Sequence, residues 1–274
     1  MSAKPTRFVA ALALALISGP AAAFAIFSDS GATAGDITDT VNAFRTAVGN
    51  PNNANNAGPL TTGRREINWD GGGSATTFSS TPFNGFQNIR GASFNTPGTG
   101  FLQAPPSGLD TFFGRADNLY NNIFEPFSAQ RVFTPVGSTI TDVTFFIPGS
   151  NGTLPAIVKA FGAIFLDVDL PNITSMQAFD EDGDSLGTFF VPAFAGNETF
   201  SFLGLLGGPG EHIGRVRITT GNVALDATSI AQDQVVMDDL IFSEPQRVPE
   251  PSPLALLGIA ALFVAFWRRK QSAV

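Results

Sequence analysis

Asp180, Asp182 and Asp184 alternate in the segment "DEDGD". Carboxylates two residues apart are how calcium loops surround a hard cation, so this segment is the chain's first metal candidate. The EF-hand pattern fails, because Ser185 stands where glycine is needed and no glutamate closes the loop. The competing reading is a hairpin turn at Asp182-Gly183, in which Asp and Gly supply turn geometry. Asp238 and Asp239 raise a related question in "QVVMDDLIFSEP". Strand alternation sends one of them outward and leaves the other to cap or pair with a loop amide. Arg64 and Arg65, just ahead of Trp69, suit a clamp for an anionic sugar with the indole as a stacking platform. The commoner use of such residues is Trp69 in the core and the arginines paired with nearby carboxylates. His212, in "GPGEHIG", is expected as an exposed loop histidine.

Nucleophilic catalysis has little to work with. The chain has no cysteine, one histidine and no G-x-S-x-G elbow. One histidine without cysteine cannot build a usual zinc site. A carboxylate pair could run glycoside hydrolysis, but no pair stands out among the 23 acidic residues. No catalytic residue and no cofactor is therefore assigned, calcium at Asp180–Asp184 aside. The N-x-T sequons at Asn151, Asn172 and Asn197 need no special explanation in a Thr-rich chain. A net charge of −8 and few lysines argue against a nucleic-acid partner.

The elements that must position these residues are mostly strands. With 27 Phe, 29 Gly and 19 Pro in 274 residues, the composition suits many short strands and turns, hence an all-β domain. Ile37, Val41, Phe44 and Val48 form one stripe of an amphipathic helix, with Asp36 as N-cap and Gly49 as stop. "NPNNANNAGPL" reads as a polar linker. From Arg64 onward roughly nine or ten strands are expected, at the spacing of a two-sheet sandwich. The expected division is residues 26–63 for helix and linker and 64–247 for the sandwich.

Both ends read as processing segments. Lys4 and Arg7, an apolar run, Gly19-Pro20 and the small residues Ala23 and Ala25 occur in the order of a signal peptide over residues 1–25, cut by a signal peptidase. Near the other end, Pro253 to Trp267 carry no charge. As a helix this run spans about 22 Å, short of a bilayer core of about 30 Å. Arg268 and Arg269 can snorkel to relieve the mismatch, and with Lys270 they stay on the cytoplasmic side. The main domain is then expected across the inner membrane, anchored through this helix.

Pro249-Glu250-Pro251, the apolar run and Arg268-Arg269 together resemble the PEP-CTERM sorting signal. That resemblance implies a Gram-negative, exopolysaccharide-making source and processing of the tail at 248–274 by an exosortase, a membrane-embedded cysteine transpeptidase. "GRREINWDGGG", "FTPVGSTITDVTFFIPG" and "VVMDDLIFSEP" are similar to stretches of other PEP-CTERM-tailed exported proteins. Their shared domain implies a jelly-roll-like β-sandwich with no settled activity. The expected function is a non-enzymatic component of the cell surface or extracellular matrix, with exopolysaccharide as a partner. The alternative is a carboxylate-dependent extracellular glycan hydrolase.

Overall fold

The computed structural model describes residues 24–226, 228 and 232–248. The expected signal segment up to Ala23 lies outside the described residues. So does the tail with Pro249, Glu250, Pro251, Arg268, Arg269 and the expected membrane helix. Among the described residues no helix is long and apolar enough to cross a membrane.

Two antiparallel sheets face each other. The first runs in the order β1 (Phe24–Gly31), β12 (Phe200–Gly207), β9 (Ala160–Leu166), β14 (Val236–Ser243), β6 (Val132–Val136), β5 (Gly100–Ala104), β3 (Thr77–Ser80), with β2 (Arg64–Ile67) also on β14. The second runs β11 (Ser185–Phe190), β10 (Ser175–Phe179), β13 (Arg215–Thr219), β7 (Ile140–Phe146), β8 (Pro155–Ile157), β15 (Gln246–Arg247), with β4 (Ala92–Asn95) on β7. The fold is thus the expected all-β two-sheet sandwich. It holds more strands than the sequence pattern suggests, because β2, β3, β4, β8 and β15 are two to four residues long. Such segments are too short to display an alternation.

Burial along the strands explains their sequences. In β7 buried and half-buried residues alternate strictly, with Thr141, Val143 and Phe145 turned inward. That is the pattern of a sheet with one solvated face. In β9 and β14 every residue is buried, so "AFGAIFL" is apolar throughout. Three helices cover the outer face of the first sheet: α1 (Ala34–Val48), α2 (Pro106–Phe113) and α3 (Leu119–Ile123). Ile37, Val41, Phe44, Leu109 and Tyr120 pack there with Ile164, Phe202 and Ile241. The inner core is aromatic, with Trp69 stacked on Phe133 at 3.8 Å and Phe133 on Phe101 at 5.0 Å.

Helix α1 carries the expected stripe but starts three residues early. Thr33 is the N-cap, and Asp36 sits at the third helical position, its Oδ2 accepting from the Thr33 N–H (2.8 Å) and Oγ1 (2.9 Å). Phe44 seats the helix. Its ring rests on Gly162 and Gly204, which pair across β9 and β12. The sheet begins at Phe24, so β1 and α1 belong to the same folded unit as the strands from Arg64 onward. Ala25 pairs with Leu206 in β1.

Candidate functional site

The densest group of ionisable side chains lies where β14 bulges. Met237 pairs with Phe165 and Leu240 with Ala163, so Asp238 and Asp239 together oppose the single residue Ile164. This overturns the expectation that alternation sends one aspartate outward. The bulge turns both carboxylates to the helix-covered side, and both residues are buried, 0% and 4% exposed. The other half of the expectation holds, because Asp238 Oδ2 accepts from the backbone N–H of Phe127 (2.6 Å) and Ser128 (3.2 Å).

Ser128 is the hub. Its Oγ lies 2.7 Å from Asp239 Oδ1, 3.1 Å from Asp70 Oδ2 and 3.2 Å from Asp238 Oδ1. Asp70 arrives through Trp69, a bulky residue in the left-handed region at φ 66°. Two contacts hold that strained turn. The Trp69 indole N–H donates to the Asp238 carbonyl at 2.6 Å, and its ring stacks on Phe133. Asp70 Oδ1 in turn accepts from the N–H groups of Gln130 and Arg131. On the other side Arg45 Nη2 bridges Asp239 Oδ2 (3.2 Å) and Glu66 Oε2 (3.1 Å), while Arg64 Nε donates to Glu66 Oε1 at 2.6 Å.

Burial pushes the Asp238 carboxyl well above the usual range, and the neighbouring Asp239 charge adds to it against the two amides. Burial also raises Asp239, opposed by the Ser128 hydroxyl and the Arg45 charge. One hydroxyl proton cannot satisfy three carboxylates, so a proton retained on the Asp238–Asp239 pair is the natural neutralisation. A proton-holding acid beside a second carboxylate is the raw material of acid–base catalysis. Here, however, every carboxylate oxygen of Asp70, Asp238 and Asp239 already has a protein partner. The group clasps the segment 124–131 to β14.

The other sequence candidates fall apart from this group. Asp180 Oδ1 accepts from the N–H groups of Asp182 (3.1 Å) and Asp184 (2.8 Å), so "DEDGD" is a self-bonded hairpin turn between β10 and β11. Among the described residues no three His, Asp or Glu side chains are arranged to hold a metal ion. Trp69 is core. Arg65 is fully buried and pairs doubly with Glu244, through Nε–Oε2 and Nη2–Oε1, both 2.7 Å. Glu244 also accepts from Asn53 Nδ2 and the Leu60 N–H, so the Asn-rich segment is docked on the sandwich and is not a free linker. His212 is half-buried and lines a 480 Å³ groove with Lys159, Glu244 and the end of α1. Asn151 and Asn172 both sit at positive φ, which gives them a turn role.

Ser128 and Asp70 carried no motif. The available signal was two consecutive acids inside an apolar strand, which only a bulge or an outward break accommodates. Residues 247–270 match the PEP-CTERM protein-sorting motif family. No curated protein and no solved structure matches the chain. The chain therefore carries a C-terminal PEP-CTERM sorting tail, the mark of an exported exosortase substrate. The motif starts at Arg247, the last residue of β15, which pairs with Ala156 on the sandwich edge.

Proposed function

We propose that the chain is a non-catalytic sandwich protein, delivered by its sorting tail to the cell surface or extracellular matrix, where it binds exopolysaccharide. The sorting motif at 247–270 carries this reading. The spent chemistry of the carboxylate group supports the non-catalytic part, because a general acid or base must reach a substrate, and these carboxylates are engaged by the Ser128 hydroxyl, the amides of Phe127 and Ser128, and Arg45. None of the cavities lined by Asp180–Gly183, His212 or Gln130 includes Asp238 or Asp239. For the glycan, Phe78 on the edge strand β3 and Phe112 on α2 are 44% and 41% exposed, with rings nearly parallel (17°) at 5.9 Å. Exposed aromatic rings of this kind suit the C–H face of a pyranose.

Glycan pull-down with the full chain, with reducing-end release assayed in parallel, tests this. Binding without release, weakened by Phe78→Ala together with Phe112→Ala, is the expected result. Release abolished by Asp239→Asn would instead establish the hydrolase, the reading favoured by the raised proton affinity of the Asp238–Asp239 pair.

A further inference from the structure

Three adjacent strands bring three oxygen-bearing side chains to one end of the first sheet. Leu166, the last residue of β9, pairs with both Phe200, the first of β12, and Val236, the first of β14. Asp167 follows Leu166, Thr199 precedes Phe200, and Asp233 lies on the approach to Val236. The backbone ties them together: the Asp167 N–H donates to the Thr199 carbonyl (3.0 Å), and the Asp169 N–H to Asp233 Oδ1 (2.9 Å). Asp169 Oδ1 is itself used, accepting from the Gly196 N–H at 2.8 Å.

These groups are deeply buried, with Asp167 5%, Thr199 3% and Asp233 2% exposed. Yet Asp167 Oδ1, Thr199 Oγ1 and Asp233 Oδ2 have no hydrogen-bond partner. No ion pair among the described residues involves either aspartate. Positions 227 and 229–231, next to Asp233 in the chain, are Ala, Ser, Ile and Ala and bring no charge. Burial, then the charges of Asp169 and Asp233, push Asp167 up to about 8. Burial raises Asp233 as well. An unpaired buried carboxylate is costly, and native chains rarely leave such oxygens without water or an ion. A single proton on Asp167 would neutralise that carboxyl and leave Asp233 charged, with one oxygen on the Asp169 N–H and the other, like the Thr199 hydroxyl, without a partner.

We propose that Asp167, Asp233 and Thr199 are the side-chain ligands of a calcium ion at this end of the sandwich. All three donors are oxygens, the class that a hard cation takes. Asp169 is near enough to act on Asp167, but among the described residues no three acidic side chains are arranged to hold an ion, so the remaining ligands are main-chain oxygens and water. Calcium accepts this because it takes about six to eight oxygens in flexible geometry. Calcium is thereby placed at the strand ends and not at "DEDGD", because the unpartnered oxygens at the strand ends are buried.

The test uses the full chain, stripped with chelator and held about one pH unit above the Asp167 value of about 8, so that protons compete little for that ligand. Calcium chloride at about 1 mM is expected to raise the melting temperature by about 5–10 °C, as a ligand near 100 times its Kd does for a domain of this size. Equilibrium dialysis should find one calcium per chain. Asp233→Asn should abolish both effects, and Asp182→Asn should leave both intact. If Asp233→Asn does not fold, Thr199→Val carries the test, because it removes one ligand and keeps the shape. It should raise the calcium concentration needed for half the shift about tenfold. No shift and no bound calcium in the wild-type chain overturns the proposal. So does calcium binding that survives Asp233→Asn or is unchanged by Thr199→Val, or that is lost in Asp182→Asn.

Discussion

Replacing Gly204 with alanine tests how α1 is held on the sheet. In a strand, Gly→Ala ordinarily helps by about 0.5–1 kcal/mol, since alanine has less backbone entropy to lose. Gly204 needs no left-handed backbone, so nothing in its own conformation forbids a side chain. The Phe44 ring does. A Cβ on Gly204 would sit 2.7 Å from Phe44 Cδ2, 2.8 Å from Cε2 and 3.0 Å from Cγ. Carbon–carbon contact is comfortable at about 3.5–4.0 Å, so ring and strand must part by about 1 Å. The ring cannot swing aside. Phe44 is 0% exposed and wedged edge-on between Phe27 and Phe202, each with its centroid 5.4 Å away. Gly162, on the facing strand, closes the other side, where a Cβ would lie 2.6 Å from Phe44 Cε1.

Overpacking of this kind costs about 1–3 kcal/mol. For a domain of this size that is a fall in melting temperature of about 2–12 °C. The sign is therefore opposite to what strand propensity alone predicts. Thermal unfolding of the full chain, followed by circular dichroism, measures it. The decisive arm is the cycle with Phe44→Ala. That variant alone should lose about 3–5 kcal/mol. Adding Gly204→Ala to it should cost nothing further, because the methyl now enters the vacated space. A coupling of about 1–3 kcal/mol is expected. If Gly204→Ala leaves the melting temperature unchanged, or costs the same with and without Phe44, the socket does not seat the helix.

Three further outcomes are expected. Glu244→Gln leaves the Arg65 guanidinium buried and unpaired and should cost about 3–5 kcal/mol in urea unfolding; Arg65→Met with Glu244→Leu should recover most of it. Asp238 binds its proton more tightly folded than unfolded, so its contribution is fully present below the ordinary carboxylate pKa near 4 and is lost as pH rises through its raised folded value. Urea midpoints at about pH 5, 6.5 and 8 should therefore fall less steeply with pH in Asp238→Asn, and equal slopes would remove the buried proton from the account. In the native host, Glu250→Ala, or Arg268→Asn with Arg269→Asn, should leave the full-length chain accumulating with its tail attached, read by intact mass; maturation like wild type would refute the sorting role of those residues.

The parts legible in the sequence were the local ones. The Ile37–Val41–Phe44 stripe announces α1 because helical neighbours are close in sequence, and β7 announces itself by alternation. The tail is legible for the same reason, as its parts stand in one order within a short segment. What the sequence hides is set by pairing between distant strands. Nothing near Asp238 and Asp239 says that Ile164 will oppose both, yet that one extra residue decides whether they face water or Ser128. Phe44 reads as one more apolar position until Gly162 and Gly204 pair beneath it. "DEDGD" shows the converse. It advertises metal spacing, but one of its donors, Asp180 Oδ1, serves the turn's own amides, because the five-residue connection between Phe179 and Ser185 folds Asp182 and Asp184 back over it. Asp167, Thr199 and Asp233 stand 32 and 34 residues apart along the chain and share no motif. Only the pairing of Leu166 with both Phe200 and Val236 collects them. A site made at the ends of adjacent strands is written in the register of a sheet, and register is a property of the fold before it is a property of any segment.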